Sequence, residues 1–214
     1  RTEKLIRLNI LTLIWLYVYL KKVNEEENKE TNEDIFKIEQ VLSDHDNEVN
    51  EAIQIKSNND IISGSKDMTI IIWKDFSNLL QYECNQIISA GNEVTSLCPF
   101  GNKGFAFALN GSYDIKIYDF NFSDGKYENI GQLSPDFCHS RVINQIILLK
   151  DNRLCSCSYD STVKIISYNE LTKEMREDQE LDDQNLSVNA IIETGNGKLI
   201  SGGHGKHLMI YKRN

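Results

Sequence analysis

SGSKDMTIIIW, running from Ser63 to Trp73, decides how this chain folds, because it recurs. Three further stretches read alike: ALNGSYDIKIY (Ala108 to Tyr118), SCSYDSTVKII (Ser156 to Ile166) and SGGHGKHLMIY (Ser201 to Tyr211). In each, small residues lead into a polar turn, and a short β-prone run closed by a large residue follows, which reads as strand, tight turn, strand. The copies start 45, 48 and 45 residues apart. At such a period one supersecondary unit stacks on the next, because none of them buries its apolar face alone.

The register extends beyond the copied motif. Upstream of each copy lies another apolar stretch: VNEAIQI from Val49, VTSLCPF from Val94, VINQIILL from Val142 and VNAIIE from Val188, with the valines 45, 48 and 46 residues apart. Downstream of the first three copies come LLQYECNQII, KYENIGQL and KEMREDQEL, whose weak alternation suits an outer strand with one edge in water. Four strands per unit at this period predict an all-β fold, a β-propeller of four-stranded antiparallel blades, with four blades in residues 35–214. Only three residues follow Tyr211, so the last unit lacks its outer strand, while IFKIEQVL (Ile35 to Leu42) precedes the first unit with nothing of its own to complete. Pairing of that early strand with the final blade is the expected repair, since it leaves no sheet edge open.

With these residues in view the chain resembles a WD-repeat β-propeller over roughly residues 35 to 214. The resemblance implies a hydrogen-bonded set of His, Ser or Thr, Asp and Trp in each blade. The first unit has the whole set, in His45, Ser63, Asp67 and Trp73. The third keeps His139, Ser156 and Asp160 but has Ile166 in place of the Trp. The fourth keeps Ser201 and has Gly205 at the Asp position, while the second has Ala108 and Ser112 at the Ser and Asp positions and no histidine before Val94. The grouping of His45 with Asp67 and Ser63 also suggests a catalytic triad, but a set repeated from unit to unit has a structural reason. WD-repeat rings usually close with about seven or eight blades. Four units therefore leave three options: a closed small ring, a half-ring that pairs with a second copy or another chain, or an excerpt of a longer propeller. The start at Arg1 rather than Met favours an excerpt or a processed product.

The first residues lie outside the repeat. LNILTLIWLYVYL (Leu8 to Leu20) is nearly all apolar and flanked by Arg1, Lys4, Arg7, Lys21 and Lys22. It is shorter than the roughly 18–20 residues a membrane-spanning helix wants. Residues 1–22 are thus expected to be a helix or strand buried against protein, or a membrane anchor through residues 5–20. LTLIW at residues 11–15 also reads as a worn copy of TIIIW. VNEEENKETNED (Val23 to Asp34) is acidic and without period, and with it residues 23–34 read as a solvated linker.

A formal net charge of -9 gives no basic footprint for phosphates and disfavours nucleic acid. The five cysteines are an odd number, and Cys155 and Cys157 lie two apart on one strand face, which suits core packing in a reducing, cytoplasmic setting. No cofactor or metal site is expected: His139 is the nearest candidate ligand and lacks companions at metal spacing. The sequence holds no phosphate-binding glycine loop, no HExxH and no nucleophile elbow, so no catalytic residue is assigned.

The expected function is a non-catalytic scaffold that presents a propeller face to partner proteins or peptides. By the resemblance, contacts come from residues flanking the first-strand valine and from the residue before the turn Asp. In this chain those are Glu48, Asn50 and Lys66; Glu93 and Thr95; Arg141, Ile143 and Tyr159; and Ser187, Asn189 and His204. Arg141 and Tyr159 stand out, because Arg and Tyr are enriched among binding hot spots. The alternative is the targeting or substrate-receptor domain of a larger enzyme such as a kinase or ubiquitin ligase. An enzyme using the central channel would need titratable groups on the innermost strands, where Ala52, Ile53, Leu97, Ile146 and Ile191 stand instead.

Overall fold

A computed structural model describes residues 37–77, 79 and 81–213. Each repeat forms one antiparallel sheet with its strands in chain order. Blade 1 comprises β1 (Val49–Gln54), β2 (Ile61–Ser65), β3 (Thr69–Asp75) and β4 (Tyr82–Ser89). Blade 2 comprises β5 (Val94–Phe100), β6 (Gly104–Leu109), β7 (Ile115–Asn121) and β8 (Lys126–Gln132). Blade 3 comprises β9 (Ile143–Leu148), β10 (Leu154–Ser158), β11 (Val163–Asn169) and β12 (Glu174–Leu181). Blade 4 has three strands, β13 (Val188–Glu193), β14 (Leu199–Gly203) and β15 (Met209–Tyr211). One 3-10 turn, Pro135–Phe137, is the only helical element among the described residues.

The same local devices recur because the same residue types do. Bulges fall at equivalent places between the third and outer strands, at Ile72/Trp73, Ile117/Tyr118 and Ile165/Ile166. Each adds twist to its sheet at the point where the outer strand bends away. In the hairpins between second and third strands, Met68 and Ser161 sit at φ 67° and 76°. The carboxylates of Asp67 and Asp160 hold those turns, each accepting from the backbone N–H two residues on, at 2.8 and 3.0 Å.

The core lies between blades rather than within them. Ile62, Ile70, Ile72, Phe105, Phe107 and Leu109 fill the space between blades 1 and 2. Ala106, Ile117, Ile143, Leu154 and Ile166 fill that between blades 2 and 3, and Cys155, Val163, Ile165, Val188 and Ile191 that between blades 3 and 4. The approach is close: a Cβ on Gly64 would lie 2.5 Å from a methyl of Val94. Side chains on the inner strands also stitch each blade to the next. The backbone N–H of Leu97 donates to Glu51, that of Ile146 to the hydroxyl of Ser96 and that of Ile191 to Gln145, at 2.7, 3.1 and 2.8 Å.

One expectation needs correction. Residues 37–44 carry no strand, so the expected early strand is not formed there, and the last sheet has three strands. Ile38 and Val41, which such a strand would have buried, are exposed. Inner strands pack β1 on β5, β5 on β9 and β9 on β13, with no comparable packing between blades 4 and 1 among the described residues. Among the described residues the four blades therefore form an open series. The apolar segment of residues 1–22, expected as a buried helix or a membrane anchor, the linker of residues 23–34 and the first two residues of the expected 35–42 strand fall outside the described residues.

Candidate functional site

The hydrogen-bonded set assembles where its residues were placed. In blade 1, His45 bridges Asp67 through Nδ1 at 2.7 Å and Ser63 through Nε2 at 2.8 Å, and the Trp73 indole N–H donates to the same Ser63 oxygen at 2.8 Å. In blade 3, His139 makes the two equivalent contacts with Asp160 and Ser156, both at 2.8 Å. With its Nδ1–H given to the carboxylate, each imidazole accepts the serine O–H at Nε2, so every donor in the chain has an acceptor. Ser63 and Ser156 are buried, at 5% and 0% exposure, and Ser63 is already bonded on both sides. Both hydroxyls are engaged within the set, which ties the hairpin to the loop entering the first strand.

The carboxylates carry the electrostatic signature of that role. Burial opposes charge on Asp67, but hydrogen bonds from Thr69, His45 and the backbone of Asp46 outweigh it and hold the carboxyl well below the ordinary range. Asp160 behaves likewise, with burial overcome by His139, Thr162 and the backbone N–H of Ser140. Thr69 and Thr162, each two residues after its aspartate, are members of the set that sequence reading passed over. So is Gln184, which stands 17 residues before Ser201, as His139 does before Ser156, and donates to the Ser201 hydroxyl at 2.5 Å. The spacing was its available signal.

The same hairpins and the loops entering each first strand form the rim on which partner contacts were expected. In blade 1, Lys66 pairs with Glu48 at 2.6 Å and the Asn50 amide donates to the carbonyl of Val94 at 2.7 Å. In blade 2, Glu93 accepts from the side chain of Asn110 at 2.9 Å, and Thr95 donates to the carbonyl of Ala108 at 3.3 Å. These residues spend most of their polar capacity inside the protein.

Blades 3 and 4 differ. Arg141 is exposed, and its carbonyl is tied by Ser158 at 3.1 Å while its guanidinium has no partner among the described residues. The Tyr159 ring, 39% exposed, lies nearly parallel to the His204 ring across the blade boundary, centroids 6.0 Å apart. Ser187 accepts the backbone N–H of His204 at 3.0 Å, which seats that hairpin. Asn189 is exposed beside them and accepts from Asn144 at 3.4 Å.

Ile143 is a correction. It is fully buried between blades 2 and 3, in the slot that Val94 and Val188 occupy in their blades, so it cannot face a partner. The register of this unit runs from Ile143 rather than Val142, which puts Asn144 at the rim position. Its amide donates to the carbonyl of Val188 at 2.7 Å, as Asn50 does to that of Val94. VINQIILL offers two adjacent β-branched residues, and only burial tells which one enters the core.

On the concave side of the inner strands a cavity of about 770 Å³ is lined by Ile53, Ile55, Leu97, Gln145, Ile146 and Ile147, among others. Its one carboxylate, Glu51, accepts from the Ser96 hydroxyl and the Leu97 backbone. Its thiol, Cys98, is buried, and burial pushes it far above an ordinary thiol, which keeps it protonated and unreactive.

The family model described as WD domain, G-beta repeat, matches residues 36–74 and 131–167, the two stretches that hold the complete histidine, serine and aspartate contacts. None of the curated proteins matches the chain. Among solved structures it is similar to the crystal structure of the WD40 β-propeller domain of Doa1, with a TM-score of 0.63 and 21% identity, over 79% of this chain and 52% of that one. The chain thus spans about half the length of the propeller it matches. The family model thus identifies two WD repeats in this chain, and the solved propeller shares its stacked-blade fold.

Proposed function

We propose that the rim of blades 3 and 4 is a non-catalytic docking face for partner proteins or peptides. The observation that carries this reading is the stack of Tyr159 on His204, exposed rings from two blades, on a hairpin whose Tyr159 backbone N–H donates to the carbonyl of Val142, next to the exposed Arg141. Aromatic rings and an uncommitted guanidinium give large contact area and directional hydrogen bonding at small conformational cost. Rigid sheets beneath hold the short loops in place, so little ordering is needed on binding. The contrast with Lys66 and Asn110, which hold the place of Tyr159 in blades 1 and 2 and bond to Glu48 and Glu93, is what localises the face. A second reading makes this same face the targeting or substrate-receptor element of a larger enzyme such as a kinase or ubiquitin ligase.

The test is affinity capture with mass spectrometry, comparing the wild-type chain with Arg141→Ala plus Tyr159→Ala and with Glu48→Ala plus Lys66→Ala. The first pair is expected to lose the bound partners and the second to keep them. Unchanged capture of every partner by the first pair removes the proposed face. A catalytic subunit among the lost partners selects the second reading.

A further inference from the structure

We propose that Asn110 is a self-modifying site: in the folded chain it deamidates to aspartate and isoaspartate, and the product unfastens the β6–β7 hairpin of blade 2 from the loop entering β5. Deamidation begins when the backbone nitrogen of the next residue closes a five-membered succinimide ring on the asparagine Cγ, and a side chain on that next residue crowds the approach. Two asparagines precede a glycine, Asn110 and Asn196. Both pairs lie in short connections between strands with the glycine at positive φ, 88° for Gly111 and 78° for Gly197. Sequence and backbone shape therefore do not separate them.

The hydrogen bonds do. The Gly197 N–H donates to the carbonyl of Thr194 at 3.0 Å, and the Thr194 hydroxyl donates to Oδ1 of Asn196 at 2.6 Å. That nucleophile is tied, and its turn must open before the nitrogen can attack. At the other site the Gly111 N–H has no acceptor among the described residues, and Gly111 is exposed to the water that takes up its proton. The Asn110 backbone N–H donates to the carbonyl of Glu93 at 2.8 Å and its side-chain amide to the Glu93 carboxylate at 2.9 Å, bonds that hold the asparagine without engaging the Gly111 nitrogen. In the closure the Gly111 nitrogen gives its proton to solvent and bonds to Cγ, the Cγ–Nδ2 bond breaks, and the amide leaves as ammonia with a proton from water. Water then opens the ring. Addition at Cγ restores the ordinary peptide link as aspartate, and addition at the backbone carbonyl carbon routes the chain through the side chain as isoaspartate. Water is the sole co-reactant, and nothing is oxidised or reduced.

Blade 2 is the place where this change has a consequence. It lacks the histidine, serine and aspartate contacts that clamp the hairpins of blades 1 and 3. Its hairpin is held to the loop entering β5 by the two bonds from Asn110 to Glu93, with Thr95 donating to the carbonyl of Ala108 nearby. Aspartate has no side-chain N–H to give. At position 110 it sets a second carboxylate against that of Glu93 at hydrogen-bonding distance, where like charges repel, and isoaspartate also lengthens the turn by a methylene. Asn110 holds the place of Lys66, Tyr159 and His204, whose backbone N–H groups make the matching bonds to the carbonyls of Glu48, Val142 and Ser187. The modification therefore puts a new charge on the rim at blade 2, whether or not blades 3 and 4 carry the docking face.

The folded wild-type chain is incubated at neutral and at alkaline pH, and deamidation is read peptide by peptide by mass spectrometry, with isoaspartate identified by enzymatic methyl transfer from S-adenosylmethionine. Product is expected at Asn110 about fivefold or more faster than at Asn196, the factor that one turn hydrogen bond is worth, and both rates rise at alkaline pH. In urea, where neither turn exists, the two rates are expected to converge. Asn110→Gln is expected to abolish product at this position. The consequence is read by hydrogen exchange at Leu109 and Asn110, whose N–H groups are bonded to the carbonyls of Asp114 and Glu93. Asn110→Asp is expected to speed that exchange, and adding Glu93→Gln to slow it again, because the glutamine amide supplies the missing N–H. Absence of product at Asn110 in the folded chain, or a ratio of the two rates that is the same folded and unfolded, overturns the proposal. So does an Asn110→Asp chain whose exchange at these two residues matches the wild type.

Discussion

In blade 3 the imidazole of His139 spans Asp160 and Ser156 from a buried position, and Thr162 closes the turn. At the same places 45 residues later, blade 4 has Gln184, Ser201, Gly205 and His207, and one side-chain bond, from Gln184 to Ser201, takes the place of that network. The two blades nonetheless share strand order, register and core slots. The difference teaches that interblade packing makes the blade, while the polar set fastens the hairpin to the loop entering the first strand. Where the set is reduced, the hairpin keeps its course but loses its clamp.

The comparison is broken most strongly by removing the clamps. His139→Ala is expected to cost about 3 kcal/mol, since it strands two buried partners and leaves a cavity, whereas Gln184→Ala is expected to cost about 1 kcal/mol. Urea titration read by hydrogen exchange, blade by blade, checks both values, because stacked repeats need not unfold as one unit. Equal losses from the two substitutions would show that the network adds nothing beyond a single hydrogen bond.

It is sharpened by transplanting the clamp. Gln184→His, Gly205→Asp and His207→Thr together rebuild the blade 3 set in blade 4. Gly205 has an ordinary φ and open space at its Cβ position, so the aspartate meets no obstacle. A gain of about 1–2 kcal/mol, confined to exchange in blade 4, is the expected result.

Acid distinguishes the blades by a smaller margin. Asp160 titrates below its ordinary value of 3.8 in the folded state, so its contribution is full above that value and is lost as the pH falls through and below it. Blade 4, with Gly205 at that position, has no such loss. Hydrogen exchange compared at pH 5 and near pH 3 is therefore expected to open blade 3, and blade 1 through Asp67, more than blade 4. An equal response in all of them would separate the low carboxylate values from blade stability.

Much of this was legible from residues alone. The four copied segments placed every second and third strand, and His45, Ser63, Asp67 and Trp73 identified a bonded set that forms as read. Ile143 was misplaced, because two adjacent β-branched residues satisfy the same alternation and burial alone chooses between them. Gln184 was missed because an amide does not look like an imidazole, although the distance to its serine is the same. The stack of Tyr159 on His204 joins residues from different blades, and no local pattern reports which rings meet across such a joint.

The sequence by itself determined the unit: its strands, its turns and the positions that point into a core, because alternation, turn chemistry and repeat period are local properties of the chain. The tertiary structure alone decided how the units meet. Whether Val142 or Ile143 enters the core depends on the blade before it rather than on either residue, and it is Ile143 that lies at 0% exposure between blades.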